Sequence, residues 1–108
     1  MLTTETTHLD HITIITLNGR LDGINAPNLK QTLLAEIANR QGNCIVLEMQ
    51  EVHYMSAAGL RVLDLIHKQL GYVRIAAPSN RVRDVMQIAG LDVVYEMYAT
   101  REKACAAC

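Results

Sequence analysis

The chain has 108 residues, half of them apolar, with ten basic and eleven acidic side chains and a formal net charge of -1. That length corresponds to one domain, read here over residues 1–108, and the apolar half is enough for a modest core without metal or disulfide. Charges this balanced, and spread along the chain, leave no electrostatic footprint for nucleic acid or anionic lipid.

The segment Met1-Leu2-Thr3-Thr4-Glu5-Thr6-Thr7 lacks the basic and apolar regions of a signal peptide. No apolar run approaches the roughly 18 residues of a membrane span, so a soluble, cytoplasmic protein with no membrane insertion is expected. Cys44, Cys105 and Cys108 are an odd number, and Cys44 sits in an apolar run, so a disulfide framework is not expected.

In chain order, Ile12-Thr13-Ile14-Ile15-Thr16-Leu17 is β-branched and reads as a strand ending at Asn18-Gly19, paired as a hairpin with the Thr-rich segment before Asp10-His11. After a polar turn from Arg20 to Gly23, Asn25 is placed to cap a helix that has Pro27 in its first turn. Leu29, Leu33, Leu34 and Ile37 then recur at helical spacing, and Gln41-Gly42-Asn43 ends the helix. Cys44-Ile45-Val46-Leu47 reads as a strand covered on both faces.

A second helix carries Leu60, Leu63, Ile66 and Leu70 and closes at Gly71, followed by a strand over residues 72–76. Pro78-Ser79 turns into a third helix with Val82, Val85, Met86 and Ala89, ended by Gly90. A last strand is expected at Val93-Val94-Tyr95, then a terminal helix over residues 100–108 capped by Thr100 and including Glu102, Lys103 and Ala104. The order predicts an α/β domain with a mixed sheet of four to five strands, about four helices and right-handed crossovers.

Three segments read together: Leu17-Asn18-Gly19-Arg20-Leu21-Asp22, Val52 to Leu63 through Tyr54-Met55-Ser56-Ala57-Ala58-Gly59-Leu60-Arg61, and Ala77-Pro78-Ser79 with Val82, Val85 and Gly90-Leu91. Over about residues 10–98 they resemble the STAS family, whose members are mostly bacterial anti-sigma-factor antagonists. The resemblance implies a non-enzymatic partner-switching protein. Its partner would be an anti-sigma factor or serine kinase of the GHKL type, and a homodimer is compatible with it.

In such proteins phosphorylation reverses binding, at a serine or threonine two residues before the glycine. That position is Ala57 here, which has no oxygen to accept a phosphoryl group, while Ser56 takes the place usually held by aspartate or serine. Carried over residue by residue, the implied partner surface is Asp22, Met55, Ser56, Ala57, Ala58, Gly59, Leu60 and Arg61. The domain is expected either to bind constitutively or to be regulated at Ser56. The alternative is an adaptor subunit of a lipid-trafficking ABC transporter or a larger signalling assembly, where docking alone is the role.

Each of these residues also has a plainer reading. Ser56 is equally a helix N-cap, and Gly59 a site of close backbone packing. Tyr54, Met55 and Leu60 are either core or partner anchors, and Asp22 is either a turn residue or a partner contact.

His8, His11, His53 and His67 have no metal-ligand spacing, so no metal is expected, and no glycine-rich loop offers a phosphate cradle or implies another cofactor. Glu48, Glu51 and Asp64 form no interpretable acid/base pair, so no catalytic residue is assigned. Cys105-Ala106-Ala107-Cys108 formally fits a prenylation box and a CxxC motif, but is read as a frayed helix end with two exposed, oxidisable thiols.

Overall fold

The structure is a computed structural model that describes residues 1–39, 44–70 and 73–108. The expected helix ends at Gln41-Gly42-Asn43 and Gly71, the strand start at Tyr72, and the side chains of Ile37 and Leu70 lie outside the described residues. Strands β1 (Leu2–Leu9) and β2 (Ile12–Leu21) form a hairpin, followed by α1 (Ala26–Asn39), β3 (Cys44–Met55) and α2 (Ala57–Leu70). Then come β4 (Val73–Ala76), α3 (Asn80–Ile88), a short 3-10 turn at Leu91–Val93, β5 (Glu96–Tyr98) and α4 (Arg101–Ala106). The sheet order is β1-β2-β3-β4-β5, with the first pair antiparallel and the rest parallel. This is the mixed α/β architecture expected from the sequence.

The two faces of the sheet are covered differently. One receives α1, α2 and α3: Leu29 and Leu33, Leu63 and Ile66, and Val82 and Met86 pack on Ile15, Leu17, Ile45, Leu47, Met49 and Ile75. Each fully buried aliphatic side chain there contributes roughly 1.5–3 kcal/mol. The other face, with Ile14, Val46 and Ala76, is covered by α4 through the fully buried Ala104. Strands β2 and β3 are therefore buried on both sides, which explains their near-continuous apolar runs.

Strand β2 does not end at Asn18-Gly19 but runs on to Leu21. Gly19 is there for a close approach: a Cβ on it would lie 2.1 Å from the Met1 carbonyl oxygen, the group that accepts a hydrogen bond from Arg20 N–H at 3.1 Å. Strand β3 likewise extends past Leu47 to Met55. Register shifts between Thr16 and Asn18, and between Gly19 and Arg20, place two extra β3 residues against β2. The buried positions of β3 accordingly pass from Ile45, Leu47 and Met49 to Val52 and Met55, a spacing of three that departs from strand alternation.

The strand expected at Val93-Val94-Tyr95 is not formed. Gly90 leaves α3 in the left-handed region and Leu91–Val93 makes a 3-10 turn that buries Leu91. Tyr95 is drawn inward, its hydroxyl donating to the Leu63 carbonyl of α2, and pairing with β4 begins one residue later at Glu96. The expectations about the cysteines also fail. Cys44 and Cys108 are joined in a disulfide with Cα atoms 5.7 Å apart, and α4 is packed rather than frayed, with Cys105 as the free, half-buried thiol. Sequence spacing could not show this, because a separation of 64 residues is closed only by folding α4 back onto the start of β3.

Helix α4 has further attachments. Thr100 Oγ1 accepts from Lys103 N–H at 3.1 Å, the cap expected from the sequence. Arg101 donates to both carboxylate oxygens of Glu48, at 2.7 and 3.2 Å, and to Thr16 Oγ1 at 3.2 Å. The hydrogen bond from Arg101 holds the Glu48 carboxyl below its ordinary value, with burial opposing and Thr16 assisting. A lowered carboxyl contributes stability that is present above the ordinary carboxylate range of about 4 and is lost as pH falls through the folded-state value. Glu48→Gln should therefore flatten the acid limb of a stability–pH curve, read by urea unfolding at successive pH values.

Ala77, directly after β4, has φ of 48°, a left-handed conformation unfavourable to a residue bearing Cβ. Its amide donates to the Tyr98 carbonyl at 2.8 Å, and this bond holds the corner in place. Ala77→Gly should relieve the conformational cost and stabilise the fold by about 0.5–1 kcal/mol, measured as a raised urea midpoint with unchanged slope.

Candidate functional site

Two loops meet where β2 and β3 end side by side. Leu21 and Met55 are register partners, and the first residue after β3, Ser56, donates its N–H to the Leu21 carbonyl at 2.9 Å. The Asp22 loop leading into α1 is thereby tied to the start of α2.

The Asp22 loop closes on itself. Asp22 Oδ1 accepts from Ile24 N–H at 3.0 Å and Asn25 N–H at 3.2 Å, while Asn25 Oδ1 accepts from Asp22 N–H at 2.9 Å. The Asn25 amide also donates to the Arg20 carbonyl at 2.7 Å. Asn25 thus stands at the start of α1 as expected, but its side chain turns back into the loop and leaves the helix amides uncapped by it. Asp22 has the turn-forming role, an Asx-type arrangement that fixes the backbone presented to solvent.

At the start of α2, Ser56 Oγ accepts from Gly59 N–H at 3.4 Å and the Ser56 carbonyl from Leu60 N–H at 3.1 Å. Ser56 is thus an N-cap with a long capping bond. Ala57 is exposed, Ala58 half-buried and Arg61 exposed, whereas Met55 and Gly59 are buried and Leu60 packs partly against the core. Of the eight residues singled out from the sequence, Asp22, Ser56, Ala57, Ala58, Leu60 and Arg61 reach the surface to some degree. Met55 and Gly59 support them from beneath.

Gly59 has no room for a side chain. A Cβ would lie 2.7 Å from Leu21 Cγ, 3.0 Å from Leu21 Cδ2 and 3.1 Å from Met55 Cγ. The glycine lets α2 start directly over the ends of β2 and β3, and so sets the distance between the two loops.

Other residues complete the surface. Ile24, at the tip of the Asp22 loop, is 89% exposed. The Arg20 guanidinium lies over the Tyr54 ring at 4.2 Å from its centroid, which accounts for a half-buried tyrosine beside the loop. Between α1 and α2 runs an open groove of about 300 Å³, lined by Gly23, Pro27, Lys30, Ala58, Arg61 and Leu65 among others. Sequence reasoning missed Ile24 and the α1 side of this groove. The available signal was an isoleucine within the turn-forming run Asp22 to Asn25, where neither strand nor helix spacing gives it a core partner.

The fold and this pair of loops define a small α/β domain that presents a helix start beside an adjacent turn. The STAS domain model matches residues 3–104, and the chain belongs to the STAS family. BtrV of Bordetella bronchiseptica, named as a candidate anti-sigma factor antagonist, is 32% identical over 103 residues, covering 92% of this chain and 88% of that protein.

An anti-sigma factor antagonist from Mycobacterium paratuberculosis has the same fold, with a TM-score of 0.89 and 24% identity over 99% of this chain and 93% of that one. The Bacillus cell fate determinant SpoIIAA in its phosphorylated form matches with a TM-score of 0.74 and 21% identity, over 97% and 98%.

Gly59→Ala should cost about 1–3 kcal/mol, because Leu21 and Met55 must move to admit the methyl group. Ser56→Ala should cost less, about 0.5–1 kcal/mol, given its single long capping bond. Chemical denaturation of both variants checks the order.

Proposed function

We propose that the chain is a cytoplasmic anti-sigma factor antagonist. It binds a GHKL-type anti-sigma factor kinase through the Asp22 loop and the helix start from Ser56 to Arg61. The observation that carries this reading is the junction of the two loops on one sheet end, where exposed Ile24 and Ala57 each adjoin in the chain a residue, Gly23 and Ala58, that lines a mainly apolar groove also lined by Lys30 and Arg61. Such an arrangement supplies an apolar anchor with polar surroundings, as protein docking requires. Membership of the STAS family and a relative named as a candidate anti-sigma factor antagonist support the class of partner.

Ala57 occupies the position at which the family resemblance places the phosphoryl acceptor. A phosphate there would bring nearly two negative charges to a contact that is desolvated on binding, at a cost of a few kcal/mol unless a cation pairs with it. An alanine cannot undergo that change, so the partner is held constitutively. Any regulation by phosphorylation would have to use Ser56, whose Oγ already accepts from Gly59 N–H.

Ala57 also favours a second reading, that of a STAS adaptor subunit in a lipid-trafficking ABC transporter or a larger signalling assembly, where no phosphorylation is needed. In both readings the domain is a binding module and carries out no chemistry of its own.

Affinity capture from the native host with wild type, Ser56→Ala and Ser56→Asp separates these possibilities, with partners identified by mass spectrometry and phosphate by intact mass. A kinase-type anti-sigma factor retained by wild type and Ser56→Ala in the presence of ATP, with no phosphate on the bait, is the expected result. Phosphate on Ser56 together with loss of the partner from Ser56→Asp would move the switch by one residue. An ATPase transporter subunit captured in place of any sigma regulator would favour the adaptor, and no affinity for a kinase-type anti-sigma factor would overturn the proposal.

A further inference from the structure

The three cysteines gather on the sheet face opposite the helices that carry the docking loops. Cys44 opens β3, its N–H donating to the His11 carbonyl at 2.8 Å, and belongs to the buried cluster of Ile14, Val46, Ala76 and Ala104. Cys108 reaches the same cluster from the end of α4 and bonds to Cys44, while Cys105, one turn earlier, packs against it as a free thiol. Arg74 of β4 places its Nη1 3.1 Å from the Cys44 sulfur, and its Nε lies 3.2 Å from Glu96 Oε2.

A guanidinium beside a thiol favours the thiolate, the form that reacts with oxidants. Given the cytoplasmic location proposed above, where thiols are kept reduced, a disulfide spanning 64 residues is a reversible oxidation product rather than a permanent staple. We propose that Cys44 and Cys108 form a peroxide-responsive modification site that locks α4 onto the sheet, with Arg74 activating Cys44.

The Cys44 thiolate attacks one oxygen of hydrogen peroxide and the O–O bond breaks. The departing hydroxide takes up a proton as water, leaving a sulfenic acid on Cys44. The Cys108 sulfur then attacks the Cys44 sulfur, the S–O bond breaks, and the leaving hydroxide combines with the Cys108 thiol proton as a second water. Two thiols and one peroxide yield one disulfide and two waters, and a dithiol reductant reverses the change by exchange. With the bond open, α4 is six residues held by Ala104, the Thr100 cap and the Arg101–Glu48 pair, too short a helix to persist without docking.

The test uses the reduced 108-residue chain, treated with hydrogen peroxide and mapped by non-reducing peptide mass spectrometry, with amide hydrogen exchange of α4 read before and after. Wild type and Cys105→Ser should each lose two hydrogens, link Cys44 to Cys108, and slow α4 exchange by about tenfold or more. Cys108→Ser should show no linkage of Cys44 and no slowing. Arg74→Gln should form the same bond several-fold more slowly at neutral pH.

Linkage of Cys105 to Cys108 alone, oxidation without an internal linkage, or α4 exchange unchanged by oxidation would overturn the proposal. An Arg74→Gln rate equal to wild type would remove the role of the arginine. Should that variant fail to fold, the wild-type map still decides the site. None of these readouts involves the docking loops, so failure here is distinct from failure of the proposed function.

Discussion

The parallel pairing of β2 with β3 is the constraint on which the rest of the molecule depends. It is the longest parallel ladder in the sheet, running from Ile12 beside Cys44 to Leu21 beside Met55. Because the strands are parallel, their last residues exit at the same edge, so the segments leading into α1 and α2 must start next to one another. The bond from Ser56 N–H to the Leu21 carbonyl extends the pairing by one step past the strand ends. Parallel strands deliver ligand and partner sites to this edge in α/β sheets generally, where loops of differing sequence sit on a fixed scaffold.

The same ladder divides the protein into two sides with different means of cohesion. On the three-helix side, cohesion comes from many aliphatic contacts, Leu63, Ile66 and Ile75 among those with no exposed surface. Tyr95 completes that side by giving its hydroxyl to the Leu63 carbonyl, and burial pushes its phenol well above the ordinary tyrosine range. On the α4 side the apolar contact is small, and specific attachments take its place. A six-residue helix has too little intrinsic stability to form in isolation, so its order follows from Thr100, Arg101, Ala104 and Cys108 acting together. The three-helix side is therefore rigid by packing, and the opposite side is held by bonds that respond to acid and to reductant.

How much of this could be read from the sequence follows from which rules were local. The α1 start, the turn at Pro78-Ser79 into α3, the Thr100 cap and the β1–β2 hairpin depend on residues close in the chain, and each is where its pattern places it. Strand β3 beyond Leu47 was not legible, because its two register shifts set buried Met49, Val52 and Met55 three apart and remove the alternation by which a strand is recognised. β5 was displaced because Val93 and Val94 carry strand propensity but lie at the end of, and just after, a 3-10 turn flanked by the buried Leu91 and Tyr95. The Cys44–Cys108 bond joins residues far apart in the chain. Its partners become adjacent only when α4 returns to the sheet, a tertiary event with no local signature.

The candidate site shows the same division. The Gly-Leu pair after Met55-Ser56-Ala57-Ala58 located the helix start in the sequence, yet only the structure separates the side chains at positions 56 and 57. Ser56 is held to the backbone on both sides of the chain turn: its N–H donates to Leu21, its Oγ accepts from Gly59, and its carbonyl accepts from Leu60. Ala57, one residue on, is exposed. Adding a bulky anion at position 57 would leave those bonds in place and change only what a partner meets. The same group on Ser56 would compete with the cap and disturb the start of α2 itself. A switch acting at position 57 can thus alter recognition without altering the fold, whereas one acting at position 56 must do both. In the proposed docking role, an alanine at position 57 therefore removes the switch that would spare the fold, while the serine retained beside it is tied to the start of α2.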